Sequence, residues 1–163
     1  MRIGIVSDSH GKADRLRKAL AALADRGAEA IVHCGDVGSR DCIAALAEAD
    51  LPAYLVAGNI DRNLRRLAAE ARRAGVHFEE DTIVIPLGEK GSLAVTHGDH
   101  GEALEQLLAG GRFAYVCHGH THERRNERIG STRVINPGAI SGPSPTAALL
   151  DSDSDTVEFL RVE

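Results

Sequence analysis

Five short apolar runs, rich in β-branched residues, each stop at a residue able to bind a metal. Arg2–Val6 leads into Asp8 and His10, Ala30–Val32 into Asp36, and Tyr54–Ala57 into Asn59. Leu93–Val95 leads into His97, and Phe113–Val116 into His118-Gly119-His120-Thr121-His122. Runs of this length and composition read as buried strands. Residues just past strand ends in an α/β protein are where ligands usually bind. Asp, His and Asn at these ends point to one metal site assembled from across the sequence.

The segments between the runs set the expected architecture. Lys12–Arg26 places Leu16, Leu20 and Leu23 on one helical face and stops at Gly27. Ser39 is placed to cap a helix carrying Ile43, Leu46 and Ala47, which ends before Leu51-Pro52. Asp61 or Asn63 caps a third helix through Leu64, Leu67, Ala68 and Ala71, closed by Gly75. Such strand–helix repetition builds a parallel sheet through right-handed crossovers. The second half changes character. Thr82–Pro86 and Ser92–Val95 flank Gly88-Glu89-Lys90-Gly91 as a hairpin, and Glu102–Leu108 is a helix closed by Gly110-Gly111. Glu123–Arg128, Thr132–Ile135, Ala147–Asp151 and Thr156–Leu160 read as short strands separated by turns. The expectation is a mixed α/β fold of two packed sheets covered by helices, in a single domain spanning 1–163.

Composition narrows the function classes. Aromatics are 3% of the chain with no Trp, which argues against a stable nucleic-acid partner read by base stacking. The net charge of −5 opposes anionic substrates, but two divalent ions against two ligating aspartates would leave roughly +2 locally. Cys34, Cys42 and Cys117 form no CxxC and cannot all pair, so a reducing cytoplasm is expected. No stretch reads as a signal peptide or a membrane span.

Each motif taken singly has an ordinary reading as a turn, a helix cap or a buried histidine. Asp8 and His10, two apart, fall on the same side of an extended backbone. Asp36 can bridge two ions with its two oxygens, and Gly35 lets the backbone approach. Asn59 offers a neutral carbonyl oxygen. For the ordinary readings to hold, all would have to hold at five consecutive strand ends. Asp8, His10, Asp36, Asn59, His97, His120 and His122 form a seven-residue N/O donor set without thiolate. With one bridging, these supply four bonds to each of two ions. Such a set suits Mn, Fe, Zn, Ni or Co and not Ca; Mn is the expected ion.

In order, the motifs DxH, GD, GN, HG and GHxH resemble those of the calcineurin-like metallophosphoesterase superfamily. The length of the chain and Ile135-Asn136-Pro137-Gly138 resemble its small, single-domain phosphodiesterase branch of bacteria and archaea. The resemblance implies a four-layer α/β/β/α sandwich of two mixed sheets flanked by helices. It also implies one metal on Asp8, His10, Asp36 and His122, and a second on Asp36, Asn59, His97 and His120. Many members carry His directly after the motif Asn; this chain has Ile60, and the small branch it resembles also lacks that His. The implied activity is hydrolysis of a small phosphodiester by a hydroxide bridging the two ions, with Asp36, Asn59, His97, His120 and His122 as the catalytic set. Without an acid at Ile60, aryloxide leaving groups are expected to outperform alkoxides.

The remaining candidates divide between pocket and scaffold. His33 is a buried histidine or a support for the ligands, and His118 orients the ligand pair or the substrate rather than ligating. Asp99 and His100 line the pocket or cap a helix; His77 is a surface or edge residue; Cys34 and Cys117 fill the core. Most of Arg62, Arg65, Arg66, Arg72 and Arg73 form a solvated face, with Arg62 or Arg65 the two that could reach substrate. Alternative activities are a phosphomonoesterase or nucleotide pyrophosphatase on the same site, or a non-catalytic scaffold like the retromer subunit of this fold. Exposed sheet edges leave a homodimer open.

Overall fold

The computed structural model describes residues 1–163. The chain forms eleven strands and four α-helices, alternating through the first half as the apolar runs predict. The first half reads β1 (Arg2–Val6), α1 (Ala13–Asp25), β2 (Ala30–His33), α2 (Arg40–Glu48), β3 (Ala53–Val56), α3 (Leu64–Ala74) and β4 (His77–Glu79). The second reads β5 (Thr82–Pro86), β6 (Ser92–Thr96), α4 (Gly101–Leu108), β7 (Tyr115–Cys117), β8 (Arg124–Ile129), β9 (Thr132–Pro137), β10 (Thr146–Asp151) and β11 (Thr156–Arg161).

Two mixed sheets result, ordered β11-β10-β1-β2-β3-β4 and β5-β6-β7-β9-β8. β1 to β4 run parallel, as do β6, β7 and β9; β10, β11, β5 and β8 pair antiparallel at the flanks. Strand alternation sorts the core into layers. Ile3, Ile5, Val32 and Leu150 of the first sheet pack on Ile83, Leu93, Val95 and Ile135 of the second. Val6, Ile31, Leu55 and Leu149 point the other way, onto Leu16, Leu20, Leu23, Ile43 and Leu46 of α1 and α2. Beyond the second sheet, Leu104, Leu107 and Leu108 of α4 cover Ala94, Phe113 and Val116. The layers are therefore α/β/β/α, the last of them a single short helix.

Local chemistry sets the element ends. Ser39 Oγ accepts from Cys42 N (3.2 Å) and starts α2. Asn63 Oδ1 accepts from Arg66 N (3.1 Å), so Asn63 and not Asp61 caps α3. Gly75 closes α3 at φ 76°, in the left-handed conformation that helix ends favour. The strand β4 has no counterpart in the apolar runs; its three residues are held by backbone pairing to β3 and carry only Phe78 toward the core. No helix is long and apolar enough to cross a membrane.

Candidate metal centre

The loops leaving β1, β2, β3, β6 and β7 meet at one end of the two sheets. Seven non-glycine residues in the chain have positive φ, and five are predicted ligands: Asp8 (53°), His10 (44°), Asp36 (56°), His120 (69°) and His122 (62°). That conformation costs about 1–2 kcal/mol for an L-residue, and concentrated strain of this kind marks functional loops. Glycines let the loops close up. A Cβ at Gly35 would lie 2.7 Å from His97 Nδ1, so the approach that the sequence assigns to Gly35 is a steric requirement.

Each aspartate commits one oxygen to the protein and leaves the other free. Asp8 Oδ2 accepts from Ser7 Oγ (2.5 Å) and His120 N (3.1 Å). Its Oδ1 is buried without a hydrogen-bond partner, 3.2 Å from His122 Nε2 and 3.6 Å from His10 Nε2. Asp36 Oδ1 accepts from Ile60 N (3.0 Å). Its Oδ2 lies 3.4 Å from His10 Nε2 and 3.4 Å from His97 Nε2. Asp36 Oδ2 thus faces both imidazole nitrogens, while a backbone N–H orients the carboxylate through Oδ1. His97 Nδ1 donates to Cys34 O (2.7 Å), so in the neutral ring Nε2 is bare; it faces Asn59 Oδ1 at 3.0 Å. His120 Nδ1 faces the same oxygen at 3.1 Å.

His10 Nε2, like Asp8 Oδ1, is a buried atom with no hydrogen-bond partner. Orphans of this kind are rare unless an ion or water completes them. Donors about 2.1 Å from a shared ion lie about 3.0–3.4 Å from one another, the spacing of every pair here but Asp8 Oδ1–His10 Nε2, at 3.6 Å. The donor set fits divalent metal ions. Burial disfavours charge on His97, but the Asp36 carboxylate and Cys34 carbonyl outweigh it and raise its pKa. Burial also disfavours charge on Asp36, where His97 and the Ile60 N–H prevail and lower it.

Residues that ligate nothing hold the loops in register. Asp61 accepts from Gly58 N (2.9 Å), Val37 N (3.2 Å) and Gly38 N (3.2 Å), joining the Asn59 loop to the Asp36 loop. Asn136 Nδ2 donates to Gly119 O and Thr121 Oγ1, both at 3.0 Å, on either side of His120. His118 is buried and turned aside: Nδ1 donates to Gly119 O (3.0 Å) and Nε2 accepts from Arg125 (3.2 Å). Burial, the leading cause, lowers its pKa. Sequence reasoning passed over Ser7 and left Asn136 without a role. A buried Asn following Val134-Ile135 in an apolar strand was the available signal; the Cys34 carbonyl had none, since every residue carries one.

A cleft of about 550 Å³ opens beside Asn59 and His97, with Arg62, Glu80, Asp81, Asp99 and His100 on its walls. Of the arginine cluster, Arg62 reaches this wall and Arg65 does not; Arg66 pairs with Glu70 (2.9 Å). Ile60 lines a separate hollow with Arg40 and Arg66.

Comparison with known proteins agrees with this geometry. The calcineurin-like phosphoesterase superfamily domain matches residues 1–155. The chain belongs to that superfamily. It is 31% identical over 167 residues to phosphodiesterase MJ0936 of Methanocaldococcus jannaschii, covering 100% of each. It is 28% identical to phosphodiesterase YfcE of Escherichia coli, over 94% of this chain and 89% of the relative. Among solved structures, an archaeal phosphodiesterase superposes with a TM-score of 0.90 at 30% identity, over 99% of both chains. Vps29 of Entamoeba histolytica shares the fold at a TM-score of 0.67 and 18% identity, over 100% of both chains. Membership in this superfamily implies divalent metal ions, and two overlapping groups, Asp8–His10–His122 and Asp8–Asp36–His97, are spaced to hold them.

Proposed function

We propose that the chain is a dinuclear phosphodiesterase, its whole length 1–163 acting as one catalytic domain on a small phosphodiester. One ion falls to Asp8, His10, Asp36 and His122, the other to Asp36, Asn59, His97 and His120. The observation that carries this reading is Asp36 Oδ2, equidistant at 3.4 Å from His10 Nε2 and His97 Nε2. One free carboxylate oxygen between two imidazole nitrogens suits a shared ligand. The mixed N/O donors favour Mn, with Fe, Zn, Ni and Co as chemically acceptable substitutes. Three buried free cysteines support a cytoplasmic setting.

When bound, two divalent ions supply a lowered pKa for the attacking water and positive charge against the phosphoryl oxygens. The chain's own residues contribute position. Asp8 and Asp36 are each pinned through one oxygen, and His97 is oriented through the Cys34 carbonyl, so little reorganisation accompanies reaction. Ile60 acts through its main chain, holding Asp36 Oδ1; its side chain has no proton to give. The leaving oxygen departs without a side-chain acid there, which favours aryl over alkyl esters.

Hydrolysis of bis(p-nitrophenyl) phosphate against p-nitrophenyl phosphate, after chelation and Mn reloading, tests the reading. At least about tenfold faster turnover of the diester is expected, lost on chelation. Preference for the monoester would transfer the site to monoester chemistry, and a chain retaining no Mn would overturn the metal centre itself.

A further inference from the structure

We infer that His33 is a positioning residue for the metal centre, tying the loop of Asp8 and His10 to the loop of the bridging Asp36. The inference rests on the ligand set proposed above. His33 ends β2 fully buried, at 0% exposure. Its Nδ1 accepts from Gly35 N (3.2 Å), a group that can only donate, so the neutral ring carries its proton on Nε2. That proton goes to Ser9 Oγ (2.9 Å), and the Ser9 hydroxyl proton goes on to Val37 O (3.0 Å). The chain of bonds is one-way and complete. It begins and ends on the two neighbours of Asp36 and passes through the residue between Asp8 and His10.

The three ligands so enclosed all hold positive φ. Backbone of that kind persists where surrounding bonds over-determine it. Parallel main-chain bonds already align the two loops, Asp8 N to Gly35 O and His10 N to Asp36 O, both 3.0 Å. With Gly11 N to Val37 O (3.0 Å) and, in the reverse direction, Cys34 N to Val6 O (2.9 Å), they fix the separation of the backbones; the His33–Ser9 link adds a side-chain brace from the buried side. An apolar residue of similar size would fill that space without the cost of burying a polar ring. Packing alone therefore does not account for an imidazole there.

The test compares wild type, His33→Leu, Ser9→Ala, the double variant and His33→Gln. Mn affinity of each metal-stripped protein is read by competition with a chromophoric chelator, and metal-free stability by thermal unfolding. His33→Leu and Ser9→Ala should each weaken Mn binding about tenfold, in the range typical of groups that orient ligands. The double variant should be no worse than the worse single, because both cut one link. His33→Gln can place its amide nitrogen where Nε2 lies and donate to Ser9, so it should recover most of the affinity. Affinity within twofold of wild type in His33→Leu, or single effects that multiply in the double, would overturn the inference. If His33→Leu does not fold, Ser9→Ala, which removes one oxygen, decides by the same criterion. A wild type that binds no Mn overturns the metal-centre reading and this inference with it; tight wild-type binding with insensitive variants overturns this inference alone.

Discussion

Asp36 shows how one side chain can serve structure and chemistry without compromise. Its Oδ1 is spent on the Ile60 N–H, which orients the carboxylate; its Oδ2 faces two imidazoles. The two oxygens can be separated by mutation. In Asp36→Asn the carbonyl oxygen keeps the Ile60 bond and the amide N–H2 turns toward His10 Nε2 and His97 Nε2, donors now meeting acceptors. The metal-free variant should therefore stay within about 1 kcal/mol of wild type in urea unfolding. Its Mn content should fall below two per chain, and diester turnover should fall about a thousandfold, equivalent to about 4 kcal/mol of transition-state stabilisation. Metal analysis and single-turnover kinetics on one preparation check all three.

At the scale of elements, adjacent polar residues perform separate tasks that spacing does not distinguish. Asp61 and Asn63 both precede α3, and either could cap it by sequence. The structure gives the cap to Asn63, while Asp61 turns back to three backbone N–H groups of the ligand loops. Asn63→Ala should cost about 1 kcal/mol of stability, the usual value of a lost cap, with Mn affinity and turnover unchanged. A parallel loss of metal affinity would show that α3 and the site are coupled through this helix end. The helices were legible because apolar residues recur at helical spacing and their caps and Gly75 stop are local signals. β4 was not, because three residues with one apolar side chain show no period; pairing to β3 makes the strand.

For the whole molecule, the ligands span Asp8 to His122 and come from both sheets. Each of two ions held as proposed would draw on residues of both sheets and crosslink them, so metal binding and folding would be linked. Mn at 100 times its dissociation constant should add about 2.7 kcal/mol per site, raising the unfolding midpoint by roughly 5–10 °C for a chain of this size. Thermal scans across a Mn series, with a chelator arm, measure this. A midpoint indifferent to Mn would mean that the seven side chains do not hold ions between the sheets.

The amino-acid sequence by itself pointed to two packed sheets covered by helices and to a candidate donor set; the four-layer order came with the family resemblance. Apolar runs with β-branched residues read as buried strands, helical spacing assigns the segments between them, and Asp, His and Asn recurring past five strand ends point to one shared site. Tertiary structure alone decided which atom of each donor is free. That Asp36 Oδ2 faces two imidazoles, that His118 turns away to Arg125, and that His33 bonds to Ser9 and Gly35 depend on backbone groups such as the Ile60 N–H, the Gly35 N–H and the Cys34 carbonyl. Every residue but proline carries those same groups, so no side-chain pattern marks the ones that matter; only their placement by the folded chain does.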